Sequence, residues 1–255
     1  PGRRRPRSCA RGTGRSCLPG SSRGGTPCGA PSALLATGAN DCKLRLWDAA
    51  EPRMLWDGGD KMHHEARVNA VVWTADGSQL FSADGNGVVK RWELVRGAEL
   101  RMLHSIEKAE LLGTPINALA LHPTRQRLLI ATRGSQLVSL DLRLLHVSMR
   151  YTGHKCSQYH LRAAHSPDGR FVVAGSEDGT LFAWAEDSGA LLVDSRPLGL
   201  NGPLLQLAWA QHDHVLVMCG FGPSNPILVH YHDPKVAAAQ PENPAAPPEA
   251  SGAAA

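Results

Sequence analysis

The residues of this chain that could do chemistry are histidine, serine, aspartate and tryptophan, and they recur together along it. One stretch holds His154, Ser176, Asp178 and Trp184. An earlier one holds His64, Ser82, Asn86 and Trp92, with an amide where the other has a carboxylate. Ser, His and Asp together are the members of a nucleophilic triad. Their recurrence at matching points of a repeating unit argues instead for satisfying buried polar groups. No nucleophile elbow, phosphate loop or dinucleotide fingerprint accompanies them. Gly12-Thr13-Gly14-Arg15-Ser16 lacks both the lysine and the flanking strand of a phosphate loop. The expectation is a protein that is not an enzyme, with no catalytic residues and no cofactor. The two sets of four are expected to be structural hydrogen-bond groups.

Metal and redox chemistry fare no better. His212-x-His214 and His230-x-His232 each put two imidazoles on one side of an extended strand. Neither pair has an acidic or thiol partner at a ligating spacing, so no metal site is expected. The six cysteines, Cys9, Cys17, Cys28, Cys42, Cys156 and Cys219, form no C-x-x-C pair and occupy no fixed place in the repeat. That speaks against a zinc site and a disulfide framework, and for a reducing, cytosolic setting. No apolar run is long enough to span a bilayer.

The elements that must position these residues are β-hairpins. LLATGANDCKLRLWD, LFSADGNGVVKRWEL, LLIATRGSQLVSLDL and FVVAGSEDGTLFAWA each read as an apolar run, a tight turn and an alternating run, and HVLVMCGFGPSNPILVHYHD is a fifth copy. The turn pairs are Asp41-Cys42, Asn86-Gly87, Gly134-Ser135 and Asp178-Gly179, of which Asn-Gly and Asp-Gly suit positive φ. The matched positions Trp47, Trp92, Leu140, Trp184 and Tyr231 are spaced by 45, 48, 44 and 47 residues, the period of propeller blades. VNAVVWTADG, INALALHPTRQ, HLRAAHSPDG and LLQLAWAQHD supply a strand before a hairpin, and RMLWDGG and LHVSMRYTG a strand after one. Four short antiparallel strands make one blade.

These residues resemble the WD40-repeat family. Trp47-Asp48 matches its Trp-Asp ending fully, Trp92-Glu93 nearly, and Gly153-His154 matches its Gly-His pair. The resemblance covers residues 33–233 and implies an all-β propeller in which His, Ser or Thr, Asp and Trp form a buried set. The stretch from Gly113 to Asp233 is similar to the last blades of the jouberin family of ciliary WD40 proteins. TPINALALHPTRQRLLI, LDLRLL, FVVAGSEDGTLFAW and CGFGPSNPILVHYHD carry that likeness. The resemblance implies a seven-bladed propeller between a coiled coil and an SH3 domain, neither of which this sequence contains. It implies a scaffold of the basal body and ciliary transition zone, with tectonic-type complex components, nephrocystin and trafficking GTPases as partners.

The expected architecture is a partial WD40 β-propeller of three complete blades flanked by two incomplete ones, with the rest of the propeller missing. Residues 1–32 and 234–255 are expected to be disordered tails. The first segment holds seven arginines and no acid. Subtracting those seven from the net charge of +4 leaves −3 for the remainder. An Arg-rich head can bind polyanions by charge alone, but it has no aromatic stacking platform, so nucleic acid is not the expected partner. Exposed faces and strand edges of an open array predict an aggregation-prone chain. Two other readings fit the residues: a generic WD40 adaptor such as a ubiquitin-ligase substrate receptor, with an Arg-lined channel mouth for an acidic or phosphorylated segment, or a nucleic-acid-associated scaffold.

Overall fold

A computed structural model describes residues 34–231, save 50, 52, 60–62, 96–98, 125, 198 and 211–214. The expected tails, and His212, His214 and His232 of the histidine pairs, lie outside the described residues. Every regular element within them is a β-strand. The chain folds into five antiparallel sheets in sequence order. The first comprises β1 (Leu34–Gly38), β2 (Leu44–Asp48) and β3 (Arg53–Trp56). The second comprises β4 (Val68–Trp73), β5 (Gln79–Asp84), β6 (Val88–Val95) and β7 (Glu99–Glu107). The third comprises β8 (Ile116–Leu121), β9 (Arg127–Thr132), β10 (Leu137–Asp141) and β11 (His146–Tyr151). The fourth comprises β12 (Ala163–His165), β13 (Phe171–Gly175), β14 (Leu181–Ala185) and β15 (Leu191–Ser195), and the fifth β16 (Leu204–Trp209), β17 (Val215–Gly220) and β18 (Ile227–Tyr231). Three four-stranded sheets thus stand between two three-stranded ones, as the hairpin pattern led us to expect.

Turn chemistry sets each hairpin. Cys42, Gly87, Ser135 and Gly179, the second members of the four turn pairs, all have φ between 59° and 85°. At Gly87 glycine is required twice over, because a Cβ there would also lie 1.8 Å from the Leu111 carbonyl oxygen. The register that results repeats from sheet to sheet. Leu35 pairs with Trp47, Leu80 with Trp92, Leu128 with Leu140 and Val172 with Trp184. In those four sheets the pairing with the outer strand also slips by one residue at the same place, just before Trp47, Trp92, Leu140 and Trp184.

The fifth sheet corrects one expectation. Leu216, buried like Leu80 and Leu128, pairs with His230, so His230 and not Tyr231 holds the tryptophan position. Tyr231 lies one residue on and therefore on the opposite face, with Ile227 and Val229. These three are 68%, 72% and 63% exposed, an apolar face with nothing packed on it among the described residues.

The cores lie between sheets. Leu44, Leu46, Val71, Leu80 and Trp92 join sheets one and two, and Phe81, Val89, Ile116, Ile130 and Leu140 join two and three. Leu129, Leu137, Val172, Phe182 and Trp184 join three and four, and Val173, Leu204, Leu216 and Met218 join four and five. Trp92, Leu140 and Trp184 each face the preceding sheet, which is how one repeated position knits successive blades. The first strands β4, β8, β12 and β16 pack on one another in turn and so line the inner side. At Gly175 the approach is so close that a Cβ would sit 2.1 Å from the Leu204 carbonyl oxygen of the next sheet.

Candidate functional site

The buried polar set closes in one blade, through a residue the sequence reading did not choose. Trp92 Nε1 donates to Ser82 Oγ at 2.8 Å, and Ser82 Oγ lies 2.7 Å from His64 Nε2. His64 Nδ1 lies 2.9 Å from Asp84 Oδ2, and all four residues are buried. Indole N–H can only donate, so a consistent chain of protons runs from Trp92 to Ser82, from the Ser82 hydroxyl to His64 Nε2, and from His64 Nδ1–H to Asp84. The other Asp84 oxygen accepts the amides of Asn86 and Val88, each at 2.9 Å. Burial pushes this carboxyl up, but the bonds from His64, Val88 and Asn86 outweigh it and leave it below its ordinary range. Asn86 contributes its backbone amide, not the carboxylate role expected of it. The carboxylate stands two residues earlier, at the end of β5.

The Trp184 blade shows the reverse. Trp92 and its serine are ten residues apart, as are Trp47 and Thr37, whose hydroxyl accepts from Trp47 Nε1 at 2.8 Å. Ten residues before Trp184 stands Ala174, which has no hydroxyl. Trp184 Nε1 therefore donates to the Thr152 carbonyl at 3.1 Å. Ser176 occupies the register position of Asp84, and its Oγ accepts the Lys155 amide at 3.0 Å. Asp178 accepts the Thr180 amide at 3.0 Å in the turn; burial raises its carboxyl, and bonds from Thr180 and Ser176 bring it below the usual range. His154 packs edge-on to Trp184 at 5.9 Å, its Nδ1 buried without a hydrogen-bond partner. Burial holds its ring neutral, with the pKa lowered to about 4. The four expected partners are neighbours that do not form one network.

Other polar groups that sequence reasoning passed over tie blade to blade. His63 accepts the Leu44 amide at Nδ1, 2.8 Å away, and stacks on Trp56. The residues Asn69 and Asn117 sit where β4 and β8 bulge against β5 and β9. Asn69 donates to the Ile116 carbonyl at 3.0 Å and Asn117 to the Tyr159 carbonyl at 3.2 Å, each in the next blade. Glu186, fully buried, takes both of its 2.7 Å contacts from Arg127 Nη1. His165 lies edge-on to His122 at 4.9 Å, and neither of its ring nitrogens has a hydrogen-bond partner. Burial, with lesser contributions from His122 and Arg127, lowers it to about 3. The only signals for these in sequence were the doubled His63-His64 and the Ser82-x-Asp84 spacing.

Nothing in this arrangement makes a nucleophile. Ser82 and His64 are sealed from solvent, and their bonds run between strands rather than into a cleft. What the geometry does is hold the blades rigid, so that the loops at their ends are presented in fixed positions.

The comparisons agree with this architecture. The family described as WD domain, G-beta repeat matches residues 61–93 and 145–185, the segments that carry Trp92 and Trp184. The fold is all-β, a series of three- and four-stranded antiparallel sheets, with WD40 repeats matched in the second sheet and across the third and fourth. The chain is similar to jouberin of Mus musculus, with 28% identity over 214 residues, which is 80% of this chain and 20% of that protein. It is also similar to WD repeat-containing protein 44 of Xenopus laevis, 28% identical over 58% of this chain and 16% of that protein. Serine-threonine kinase receptor-associated protein of Gallus gallus is 26% identical over 60% of this chain and 52% of that protein. The chain thus spans 20% of the length of the jouberins it matches. Among the described residues no helix is long and apolar enough to cross a membrane.

Proposed function

We propose that this chain is a non-enzymatic WD40 interaction scaffold that acts in cilium assembly, at the basal body and transition zone. The observation that carries this reading is the similarity to jouberin over 80% of the chain, with the WD40 repeats in register. The buried polar residues serve packing, so work on other molecules falls to the loops at the blade ends. Components of the tectonic-type complex are the proposed partners, and cytoplasm and ciliary base the proposed location. Proximity labelling from the full chain in ciliated cells tests this. Enrichment of transition-zone proteins is expected; a labelled set dominated by ubiquitin-ligase subunits or nucleic-acid-binding proteins would overturn it.

A further inference from the structure

The outer strands of the first two sheets leave a gap between them. β3 stops after four residues, at Trp56, whereas β7 runs for nine. The chain leaves β3 through Gly58 and Gly59, with φ of 70° and 68°, and a Cβ at Gly58 would sit 1.9 Å from His63 Nε2. What remains between the two strands is an open groove of about 760 Å³. Leu55 and Trp56 form one wall, Leu100 and Met102 the other, and the buried His63 and Trp92 the floor. The floor is fixed in place, because His63 is stacked on Trp56 at 4.8 Å, meets Trp92 edge-on at 5.7 Å and accepts the Leu44 amide. Met102, paired with Trp92 in the register, is nonetheless 50% exposed.

The two ends of the groove differ in charge. Arg53 pairs with Asp48 and Glu99 with Val95, just beyond the matched Trp47 and Trp92, so β3 and β7 start at the same end. Four carboxylates stand there, Asp48, Glu51, Glu93 and Glu99, against two guanidiniums. Arg53 is engaged by Asp48 and Glu51 and Arg101 by Glu93, and among the described residues no cation pairs with Glu99. At the opposite end the balance is reversed, with Lys43 Nζ donating to the Gly59 carbonyl at 2.6 Å and Lys90 Nζ to the His63 carbonyl at 2.8 Å, beside the single carboxylate of Asp57. Both walls are also sheet edges, since β3 and β7 are each the outermost strand and are hydrogen-bonded to a neighbour on one side only.

We propose that this groove on the outer side of sheets one and two binds an extended segment of a partner protein, which seats one large apolar side chain between Trp56 and Met102 and places a Lys or Arg against Glu99. This rests on the scaffold reading and gives it a site besides the blade-end loops. A groove open along its length suits a chain that enters at one end and leaves at the other, not a small molecule that must be enclosed. Free strand edges supply main-chain hydrogen bonds to such a chain, and the apolar walls supply the side-chain selection. The exposed methionine adapts to the shape of the anchor, while the stacked rings beneath it give a surface that needs no reordering. The charge difference between the ends sets the direction in which the segment lies.

The test is selection from a phage-displayed library of random peptides of about twelve residues against the full chain, followed by fluorescence anisotropy of the enriched peptides. The expected motif is a large apolar residue with a Lys or Arg within about four positions of it. Met102→Glu and Glu99→Lys should each weaken binding about tenfold, while Leu144→Glu, an exposed apolar residue beside the third sheet, should leave it unchanged. Both groove substitutions lie at exposed positions, so their circular dichroism should match the parent's. A peptide whose basic residue is changed to Glu should regain binding to Glu99→Lys, which a merely structural role for Glu99 would not produce. An enriched set without the shared motif, or peptides that bind both groove variants as tightly as the parent, would overturn the site. So would a gain in affinity when the seven N-terminal arginines are changed to Gln, which gives the groove to the chain's own head, or a parent dimer that Met102→Glu makes monomeric, which gives it to a second copy. Peptide binding by a parent chain that labels no transition-zone proteins would leave the site standing and remove the ciliary reading; labelling by the parent without any enriched peptide would do the reverse.

Discussion

Asp84 and Asn86 differ by two positions and have opposite consequences. Asp84→Ala strips His64 Nδ1 of its buried acceptor and frees two turn amides, which should cost about 2–3 kcal/mol. Asn86→Ala keeps the backbone amide that Asp84 uses and should stay within about 0.5 kcal/mol. Urea unfolding midpoints of the two variants decide it; comparable losses would mean that the side chain of Asn86 matters after all. The histidines add a pH dependence with a definite sign. His154 and His165 have folded pKa values of about 4 and about 3, below the unfolded value near 6.5. Between these limits the unfolded chain binds more protons, so stability is full above about pH 6.5 and falls as pH drops toward 4. Asp76, lowered to about 2 chiefly by the Thr74 and Ser78 hydroxyls, extends the loss further into acid. Melting temperatures should therefore slope downward from neutral to pH 4, and His154→Phe/His165→Phe should flatten that slope; an unaltered slope would exclude these two rings as its source.

At the level of strands and sheets, adjacent blades are joined by apolar cores and by a few polar ties. The Arg127–Glu186 pair links the start of β9 to the end of β14, with Glu186 wholly buried and the Arg127 side chain 24% exposed. Removing the guanidinium takes two charge-assisted contacts from a buried carboxylate, so Arg127→Met should destabilise by about 2–4 kcal/mol, less than a fully sealed pair because solvent reaches the arginine. The double variant Arg127→Met/Glu186→Leu should recover most of that loss. Thermal unfolding measures both, and a double variant no better than the single would show that the cost lies in packing.

Across the whole molecule the exposed face of β18 sets solution behaviour. Ile227, Val229 and Tyr231 present a flat apolar surface on an edge strand, the kind of surface that recruits other strands. Val229→Lys/Tyr231→Lys should reduce self-association, read as a later elution volume and lower light scattering at equal concentration. No change would place the association elsewhere, for instance on Leu191 to Val193 of β15.

Periodicity, turn pairs and alternation are local properties, so they were legible in the residues themselves. They determined five hairpins, the blade count and the inward positions of Trp92, Leu140 and Trp184. What they could not carry was a choice between neighbours that differ by one or two residues. Tyr231 looked like the repeat aromatic, yet strand pairing gave that place to His230. Ser176 and Asp178 looked like a complete set, yet Ala174 stood where Trp184 needed a hydroxyl. Which carboxylate reaches a histidine, and which arginine reaches the buried Glu186, depend on contacts between residues tens of positions apart. Only the packed sheets bring those partners within hydrogen-bond range, so only the tertiary structure could decide them.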